Sequence, residues 1–493
     1  MKRAWAVLVV AAGLTPMLAH RALGQDAGAA IDAASAAMGV SQLQTVRFTA
    51  TGSMNPTGQA YETGGAWPRF TVTKYSMAIN FAVPAMRQEL VRIDDARPPR
   101  GGGAGGYNPT TFQGGIRPIP GDIVQNQNID GRTEAGALRV FLTPHGFLRG
   151  ADANRASATV EVGGGKKTIT FRAFGKYVVR GVLSAQNLVE RVETTIDIDY
   201  TGDTPIDGLY SEYRDFGGVK FPMRITQREG GFPVLDLTVA SVDPNNADAQ
   251  RVGAEARPAP AQQSAAERLP EPEKVAEGVW ILTPGIEGSI LVEFKDFVVI
   301  LEAPVGEAYS TAALARAAKM FPAKPIRYVV NTHHHADHAA GMRTYVAEGI
   351  PIVTHASHQR YYEQQIFRNP HALRPDRLAR SPRPPRIETM TDKRVISDGA
   401  MSLELHVMRD QPHSEGLVMA YLPAPKLLVQ ADAYHPRPGA PPLPAPSPYT
   451  ISLADNVRRL KLDVDRVVHI HGGISPYADV LTAAGQSQRA SVR

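Results

Sequence analysis

The stretch that most constrains this chain covers residues 331–338 and reads NTHHHADH. Its last six positions hold four histidines and one aspartate, directly after the apolar run Ile326–Val330. An apolar run of this length indicates a buried strand, so the histidines are expected in the loop that follows it. Alternate side chains of an extended loop point the same way, so His333 and His335 can converge while His334 faces away.

Further ligating side chains extend this cluster. Asp337 and His338 follow the turn and can reach a second point on its other side. His413 in DQPHSEG, Asp432 at the end of KLLVQAD and His471 in HIHGG each stand beside a later apolar run. Imidazole and carboxylate groups together suit Zn²⁺ and its first-row neighbours. An exposed histidine-rich loop without a function is the alternative, which this spacing at a strand end disfavours.

The composition sets the limits within which this cluster must fold. The chain has 493 residues, which is more than one compact core usually holds, so two domains are expected. It has no cysteine, so a thiol nucleophile and a thiolate ligand are excluded, and any metal must be held by His, Asp or Glu. The formal charge of +5 comes without a dense basic run carrying interleaved aromatics, so no nucleic-acid partner is expected.

The first half of the chain has the residue pattern of a β-sheet. Residues 43–243 alternate apolar and polar side chains in short runs, as in Val46–Ala50 and Leu235–Val239. This period of two indicates an antiparallel sheet with one wet face, and we predict a β-rich domain over residues 25–246. Residues 247–273 are rich in Ala, Pro, Gln and Glu and lack aromatics, which is typical of an interdomain linker.

From residue 274 to residue 493 the rhythm changes to strands that alternate with helices. Such a pattern indicates α/β layers with ligands placed on the loops at strand ends. The predicted helices are Ser310–Phe321 and one that begins near Ala339. The predicted strands are Val279–Leu282, Ser289–Phe294, Phe297–Leu301, Ile326–Val330, Ile350–Val353, Leu417–Pro423, Lys426–Asp432 and Asp465–Gly473.

The motif H-x-H-x-D-H, with its ordered downstream partners, resembles the metallo-β-lactamase superfamily between Lys274 and about Tyr477. The resemblance implies an α/β fold, the αβ/βα sandwich, preceded here by the mainly antiparallel β domain. It further implies that one metal is held by His333, His335 and His413. The second metal would be held by Asp337, His338 and His471, with Asp432 bridging the two ions and His334 left as the spare histidine.

The same resemblance implies a hydrolase with two Zn²⁺ ions per chain. A hydroxide between the metals would attack a small-molecule ester, thioester, lactone or phosphodiester, with Asp337 as the catalytic residue that orients it and accepts its proton. Lactamases of this superfamily have Cys where Asp432 stands or lack a bridging acid, so Asp432 disfavours a β-lactam substrate. The alternatives are a class-B-like β-lactamase, a mononuclear iron oxygenase, and a lipid-binding or ligand-binding protein with a vestigial metal site.

Some residues depart from the pattern or lie outside it. Glu302 stands where many members of the superfamily carry Asp, at a position that is usually structural. His469 precedes His471 by two positions and is expected to be a strand side chain rather than a ligand. The remaining histidines have no motif support and are expected at the surface or around the site; they are His355, His358, His371 and His435.

Two proline-rich segments are expected to surround the substrate. Residues 433–449 leave Asp432 and are predicted to form one wall of the pocket, because proline makes a helix or a central strand unfavourable. Residues 367–386 carry arginines that would attract an anionic substrate from the rim of the cleft. Those arginines include Arg374, Arg377 and Arg380.

The amino terminus predicts export. A short basic region precedes the apolar run Ala4–Ala19, and Ala22–Gly24 offers a small-x-small cleavage pattern. Residues 1–24 are therefore predicted to be a signal peptide, which makes the protein periplasmic or secreted. The first half also resembles, more weakly, the β half-barrel of periplasmic lipoprotein carriers around Tyr210–Ile225, which implies membrane proximity or a lipid-like ligand.

Overall fold

The computed structural model describes residues 16–93, 100–102, 123–253, 269–285, 287–436 and 445–486, without the side chains of residues 16–26 and 123–124. The first helix, α1 (Pro16–Met38), runs through the predicted cleavage junction, whereas residues 1–15 of the predicted signal peptide lie outside the described residues. Among the described helices, none is both long and apolar enough to cross a membrane. The signal peptide stays a prediction.

The amino-terminal domain is built on one 11-stranded sheet in which every neighbouring pair is antiparallel. Its strands are β1 (Thr45–Met54), β2 (Phe70–Asn80), β3 (Ala85–Ile93), β4 (Ile123–Asp130), β5 (Thr159–Gly163), β6 (Lys166–Ala173), β7 (Tyr177–Leu183), β8 (Val189–Ile198), β9 (Gly202–Phe216), β10 (Val219–Glu229) and β11 (Phe232–Pro244). Their order is β4-β3-β2-β1-β11-β10-β9-β8-β7-β6-β5, so the first and last strands pair inside the sheet.

One face of this sheet is covered by helices. Alternate side chains of β1, among them Val46 and Phe48, enter a core that also holds Ile31 of α1. Two further helices pack on the same core, α2 (Glu134–Phe141) and α3 (Pro144–Ala153). The threonine before each of these helices accepts a hydrogen bond from a backbone N–H of its first turn, which stabilises the helix start. Short 3₁₀ turns occupy Val40–Gln42, Arg155–Ser157 and Ala249–Arg251.

The carboxy-terminal domain contains a seven-stranded and a six-stranded sheet. The first sheet comprises β12 (Glu273–Ala276), β13 (Val279–Ile281), β14 (Ile290–Glu293), β15 (Val298–Leu301), β16 (Ile326–Val330), β17 (Ile352–His355) and β18 (Ile387–Met390). The second comprises β19 (Lys393–Ser397), β20 (Ser402–Val407), β21 (Val418–Leu422), β22 (Leu427–Gln430), β23 (Arg466–His469) and β24 (Gly473–Pro476). In both sheets the strands follow one another in chain order.

Helices lie outside both sheets. They are α4 (Glu307–Met320), α5 (Ala336–Ala339), α6 (Met342–Ala347), α7 (Ala356–Tyr361), a π-helical turn (Tyr362–Ile366), α8 (Arg377–Arg380), α9 (Pro448–Leu460) and α10 (Tyr477–Ala483). Alternation along β15 sorts the layers, because Val299 and Leu301 enter the core between the sheets while Val298 and Ile300 face the helices. Helices α9 and α10 cover the other sheet in the same way. The result is an αβ/βα sandwich, which confirms the predicted fold class.

The amino-terminal domain packs against the loops at the strand ends of this sandwich. Tyr200, which is 2% exposed, donates a hydrogen bond to the carbonyl of His334. The carboxylate and the N–H of Asp203 both bind the segment 370–373. His371 of that segment is buried beside Asp197, with 3.3 Å between Nδ1 and Oδ1, which excludes the surface alternative for this residue.

Three arginines of residues 367–386 form ion pairs within the protein. Arg374 pairs with two carboxylates of the amino-terminal domain and so joins the domains. Arg377 lies 2.6 Å from Glu348, and Arg380 lies 2.7 Å from Glu307. Each of these three arginines pairs with a carboxylate of the protein, and the expected attraction of an anionic substrate stays a prediction.

Candidate metal centre

Each predicted ligand stands at or just beyond the end of a strand. His333 and His335 follow β16, and the short helix α5 places Asp337 and His338 beside them. The later ligands come from the second sheet: His413 lies before β21, Asp432 after β22 and His471 between β23 and β24. The sheets therefore bring to one edge the side chains that the sequence spreads over 139 positions, from residue 333 to residue 471.

The first group consists of His333, His335 and His413, whose candidate ligand atoms lie within 4.8 Å of one another. All three side chains are buried, and the Nε2 atoms of His333 and His413 are 3.0 Å apart. Nδ1 of His333 lies 2.9 Å from Thr332 Oγ1, which leaves Nε2 to face the group. Nδ1 of His335 is buried and has no hydrogen-bond partner in the described part of the chain.

The second group consists of Asp337, His338, Asp432 and His471, again within 4.8 Å of one another. Nε2 of His338 lies 2.6 Å from Asp432 Oδ2 and 3.0 Å from Nε2 of His471. Oδ2 of Asp337 is 3.6 Å from His338 Nε2 and 3.5 Å from His471 Nε2. Asp337 is also the most exposed member, with 36% of its side chain open to solvent.

Asp432 lies between the two groups. Its Oδ2 atom is 3.4 Å from Nε2 of His333 and 3.4 Å from Nε2 of His413. Its backbone has a φ of 58°, a left-handed conformation that non-glycine residues rarely adopt, so the chain is turned sharply where it leaves β22. This arrangement places one carboxylate within reach of both groups, the position that the sequence assigned to the bridging acid.

Burial and neighbouring charges shift the pKa values of these groups in opposite directions. Burial, followed by the nearby imidazoles, lowers the pKa of His335 to about 3. Burial also lowers the pKa of His471, but the carboxylates led by Asp432 outweigh it and raise that pKa to about 10. The same opposition leaves the pKa of His338 well above its usual value, and that of Asp337 well below. The carboxylates of the second group therefore favour a positive charge between them, as they would favour a bound cation.

The chemistry of these residues fits two divalent ions. In each group two imidazole nitrogens lie 3.0 Å apart, as expected of ligands that share one ion. His335 adds a buried nitrogen that has no hydrogen-bond partner in the described part of the chain. Three imidazoles in one group and a mixed carboxylate–imidazole set in the other suit Zn²⁺. The structure thus brings the predicted ligands together, and their role as ligands stays a prediction.

The other histidines lie elsewhere. His334 is buried with its Nδ1 atom 3.3 Å from Ser414 Oγ, and its ring packs against His358 and Tyr361. It therefore turns away from the first group. His358 is fully buried and not at the surface, and His469 is a strand side chain bonded to Gln430 and to Ser475.

Three residues that were not among the predicted ligands contact this centre. Glu302, fully buried, accepts hydrogen bonds from His338 Nδ1 and from the N–H of Thr332, both at 2.7 Å. His435 lies 2.9 Å from Asp432, although its sequence neighbourhood has no motif. Gln59 of the amino-terminal domain donates to Asp337, and nothing in its sequence neighbourhood signals a metal site.

Tyr449, which the sequence placed in the pocket wall, lies near the first group. Its ring centroid is 6.1 Å from that of His413, and its hydroxyl donates to the carbonyl of Gly101 in the other domain. The middle of the predicted wall, residues 437–444, lies outside the described residues.

Comparisons with known proteins place this geometry in a family. Residues 282–471 match the model of the metallo-beta-lactamase superfamily, and no curated protein matches the chain. A metallo-beta-lactamase from Pontibacter korlensis is 19% identical, with a TM-score of 0.32, over 44% of this chain and 99% of its own. The mono-zinc metallo-beta-lactamase FIM-1 from Pseudomonas aeruginosa is 15% identical, with a TM-score of 0.31, over 45% and 96%.

A third solved structure has a different activity in its name. The sec-alkylsulfatase Pisa1 from Pseudomonas sp. is 15% identical, with a TM-score of 0.31, over 43% of this chain and 40% of its own. Because these identities and TM-scores are low, the assignment rests on the family match and not on the structural likenesses. Residues 282–471 of this chain form a domain of the metallo-beta-lactamase superfamily, whose members are mostly hydrolases.

Proposed function

We propose that this protein is an exported, dinuclear zinc-dependent hydrolase that acts on a small-molecule ester, thioester, lactone or phosphodiester. The observation that carries the proposal is the position of Asp432 between two groups of ligating side chains. A single-ion site would have no use for the second group, which holds a further aspartate and two histidines. The family match supports hydrolysis as the type of reaction.

Some residues of the chain would hold the metal ions, and Asp337 would also transfer a proton. Two divalent ions in these groups would lower the pKa of a water molecule towards neutrality and polarise the substrate's carbonyl or phosphoryl oxygen. Asp337 is ionised at neutral pH and more exposed than the other members of its group, so it can orient the attacking water and accept its proton. The carboxylate of Glu302 holds His338 in one tautomer through Nδ1.

The proposed substrates follow from the acid at position 432. An aspartate there makes both groups oxygen-and-nitrogen sites that share one carboxylate, which suits two similar ions such as Zn²⁺. This disfavours the lactamase-like alternative, in which the sequence pattern expects cysteine or no bridging acid. The proposal therefore places esters and phosphodiesters ahead of β-lactams.

Metal analysis combined with a substrate panel tests the proposal. The purified protein should contain close to two equivalents of zinc, because two groups of ligands are present. It should hydrolyse at least one of a generic ester, a thioester, a lactone and a phosphodiester, and a chelator should abolish that activity. A single iron with no zinc would support an oxygenase instead, and hydrolysis of a cephalosporin alone would support a lactamase.

A lipid-like ligand for the amino-terminal domain also belongs to the proposal. A cavity of about 70 Å³ lies between the sheet and its helices. Most of its lining is apolar, including Tyr75, Met77 and Phe221, and Gln88 and Arg139 add polar groups. Its apolar part suits the end of an acyl chain. Organic extraction and mass spectrometry of the purified protein should detect a bound lipid. Its repeated absence from protein purified from membranes would contradict a lipid-like ligand of the amino-terminal domain.

A further inference from the structure

The segment that joins β1 to β2, residues 55–69, crosses from the amino-terminal domain to the metal centre. It is called the crossing segment below. Three of its consecutive residues hydrogen-bond three consecutive residues of the metal-ligand loop. Gln59 Nε2 donates to Asp337 Oδ1 at 2.7 Å, and His335 Nε2 donates to the carbonyl of Ala60 at 2.8 Å. The N–H of Ala336 donates to the carbonyl of Gly58 at 3.3 Å.

These contacts decide which ligand atoms are available. A carbonyl can only accept, so the bond to Ala60 requires the proton of His335 on Nε2 and leaves the lone pair on Nδ1. That Nδ1 is the buried atom with no partner in the described part of the chain. In the same way, the amide of Gln59 donates a hydrogen bond to Oδ1 of Asp337. Oδ2 is then the oxygen that faces His338 and His471.

The backbone of the crossing segment is built for this close approach. Gly58 has a φ of +70°, and a Cβ atom there would lie 2.8 Å from the Cβ of Ala336. A side chain at this position would therefore separate the two segments. The carbonyl of Gln59 is held from behind by the N–H of Gly102 at 3.0 Å, and the carbonyl of Tyr61 accepts from the N–H of Glu415 at 2.8 Å.

We propose that the amino-terminal domain supplies two positioning groups to the metal centre, the side-chain amide of Gln59 and the carbonyl of Ala60. This inference rests on the proposed function, because it takes Asp337 and His335 to be metal ligands. Partners of ligating side chains fix the orientation of those ligands, and their removal typically weakens metal affinity by about 10-fold to 100-fold. Gln59 orients Asp337, which belongs to the second group. Its loss should therefore weaken the metal held by that group, called the second equivalent below, and spare the metal of the first group, called the first equivalent.

The test is Gln59→Leu in the full chain, a change that keeps the size of the side chain and removes its donor. Gln186→Leu is the matched control, because it makes the same change at an exposed turn of the same domain. Cobalt is titrated into the metal-free proteins against a competing chelator, and the absorption bands of each equivalent are followed. We expect the second equivalent to bind about 10-fold to 100-fold more weakly in Gln59→Leu with altered bands, while the control matches the wild type.

A second variant covers the case in which Gln59→Leu does not fold. Gln59→Glu keeps the size of the side chain but replaces the amide donor by a carboxylate, so Oδ1 of Asp337 loses its hydrogen bond and the absorption bands of the second equivalent should change. Unchanged affinity and bands for both equivalents in either folded variant would overturn the inference. A wild-type protein that binds fewer than two cobalt ions would instead overturn the proposed function, so the two failures are distinguishable.

Discussion

Replacement of Glu302 by glutamine should weaken metal binding at the second group without unfolding the protein. The carboxylate is fully buried and accepts two hydrogen bonds at 2.7 Å, from His338 Nδ1 and from the N–H of Thr332. The amide of glutamine has one acceptor and one donor end, so one of these N–H groups would face another N–H. A hydrogen bond to a charged group contributes about 1.5–3 kcal/mol, and each 1.4 kcal/mol is about a factor of ten in affinity.

The expected loss is therefore about 10-fold to 100-fold in the affinity for the second equivalent of metal, which agrees with the usual effect of such partners. Chelator competition with Zn²⁺ or Co²⁺ measures it, and thermal unfolding of the metal-free proteins checks that the fold persists. Glu404→Gln is the matched control, because Glu404 bonds His406 at 3.0 Å in a strand away from the ligands. Equal affinities of Glu302→Gln and the control for both equivalents would refute the reasoning.

Three further predictions concern the spare histidine, a buried titrating group and the amino terminus. His334→Ala should keep both metal equivalents, whereas His335→Ala should bind the first equivalent at least about tenfold more weakly; elemental analysis after dialysis distinguishes them, and equal losses would contradict the alternation along the loop. Burial lowers the pKa of His145 to about 4, whereas in the unfolded chain this group has its ordinary pKa of about 6.5. The unfolded state therefore binds the proton first, and the unfolding free energy decreases as the pH drops below about 6.5. Between pH 7 and pH 4.5 the wild type should lose about 2–3 kcal/mol more unfolding free energy in urea than His145→Gln, and parallel pH profiles would refute this. Mass spectrometry of the exported protein should find a mature chain that starts near Gln25, and an intact Met1 would exclude cleavage.

Much of the sandwich could be predicted because its strands are short, buried and apolar. β16 covers Ile326–Val330 as the sequence indicates, and α4 begins at Glu307, three positions before the predicted start at Ser310. The ligands could be found for the same reason, since each follows or precedes such a strand and its loop must lie at the sheet edge. The backbone conformation of Asp432 could not be foreseen, because a φ of 58° is one that non-glycine residues rarely adopt.

The arginines of residues 367–386 show what a charge pattern leaves open. A run of arginines beside a predicted cleft indicates an anion site only if the cations are free, and the sequence does not reveal their partners. Arg374 meets Asp197 from 177 positions earlier in the chain, so the pair exists only because the domains pack together. Its charge is paired with two carboxylates of that junction.

Gln59 shows the opposite: no sequence pattern points to it, yet its side chain contacts a predicted metal ligand. It lies 278 positions before Asp337, in a loop whose residues have neither strand nor helix periodicity. Local propensity reports only on neighbours in the chain, and a contact across that separation depends on how two independently built layers meet. The features that permit it belong to the backbone: the positive φ of Gly58, which favours glycine, and the carbonyl of Ala60, which every residue carries. The histidine cluster therefore identifies which side chains can hold metal, whereas the packing of the amino-terminal sheet decides how two of them are held.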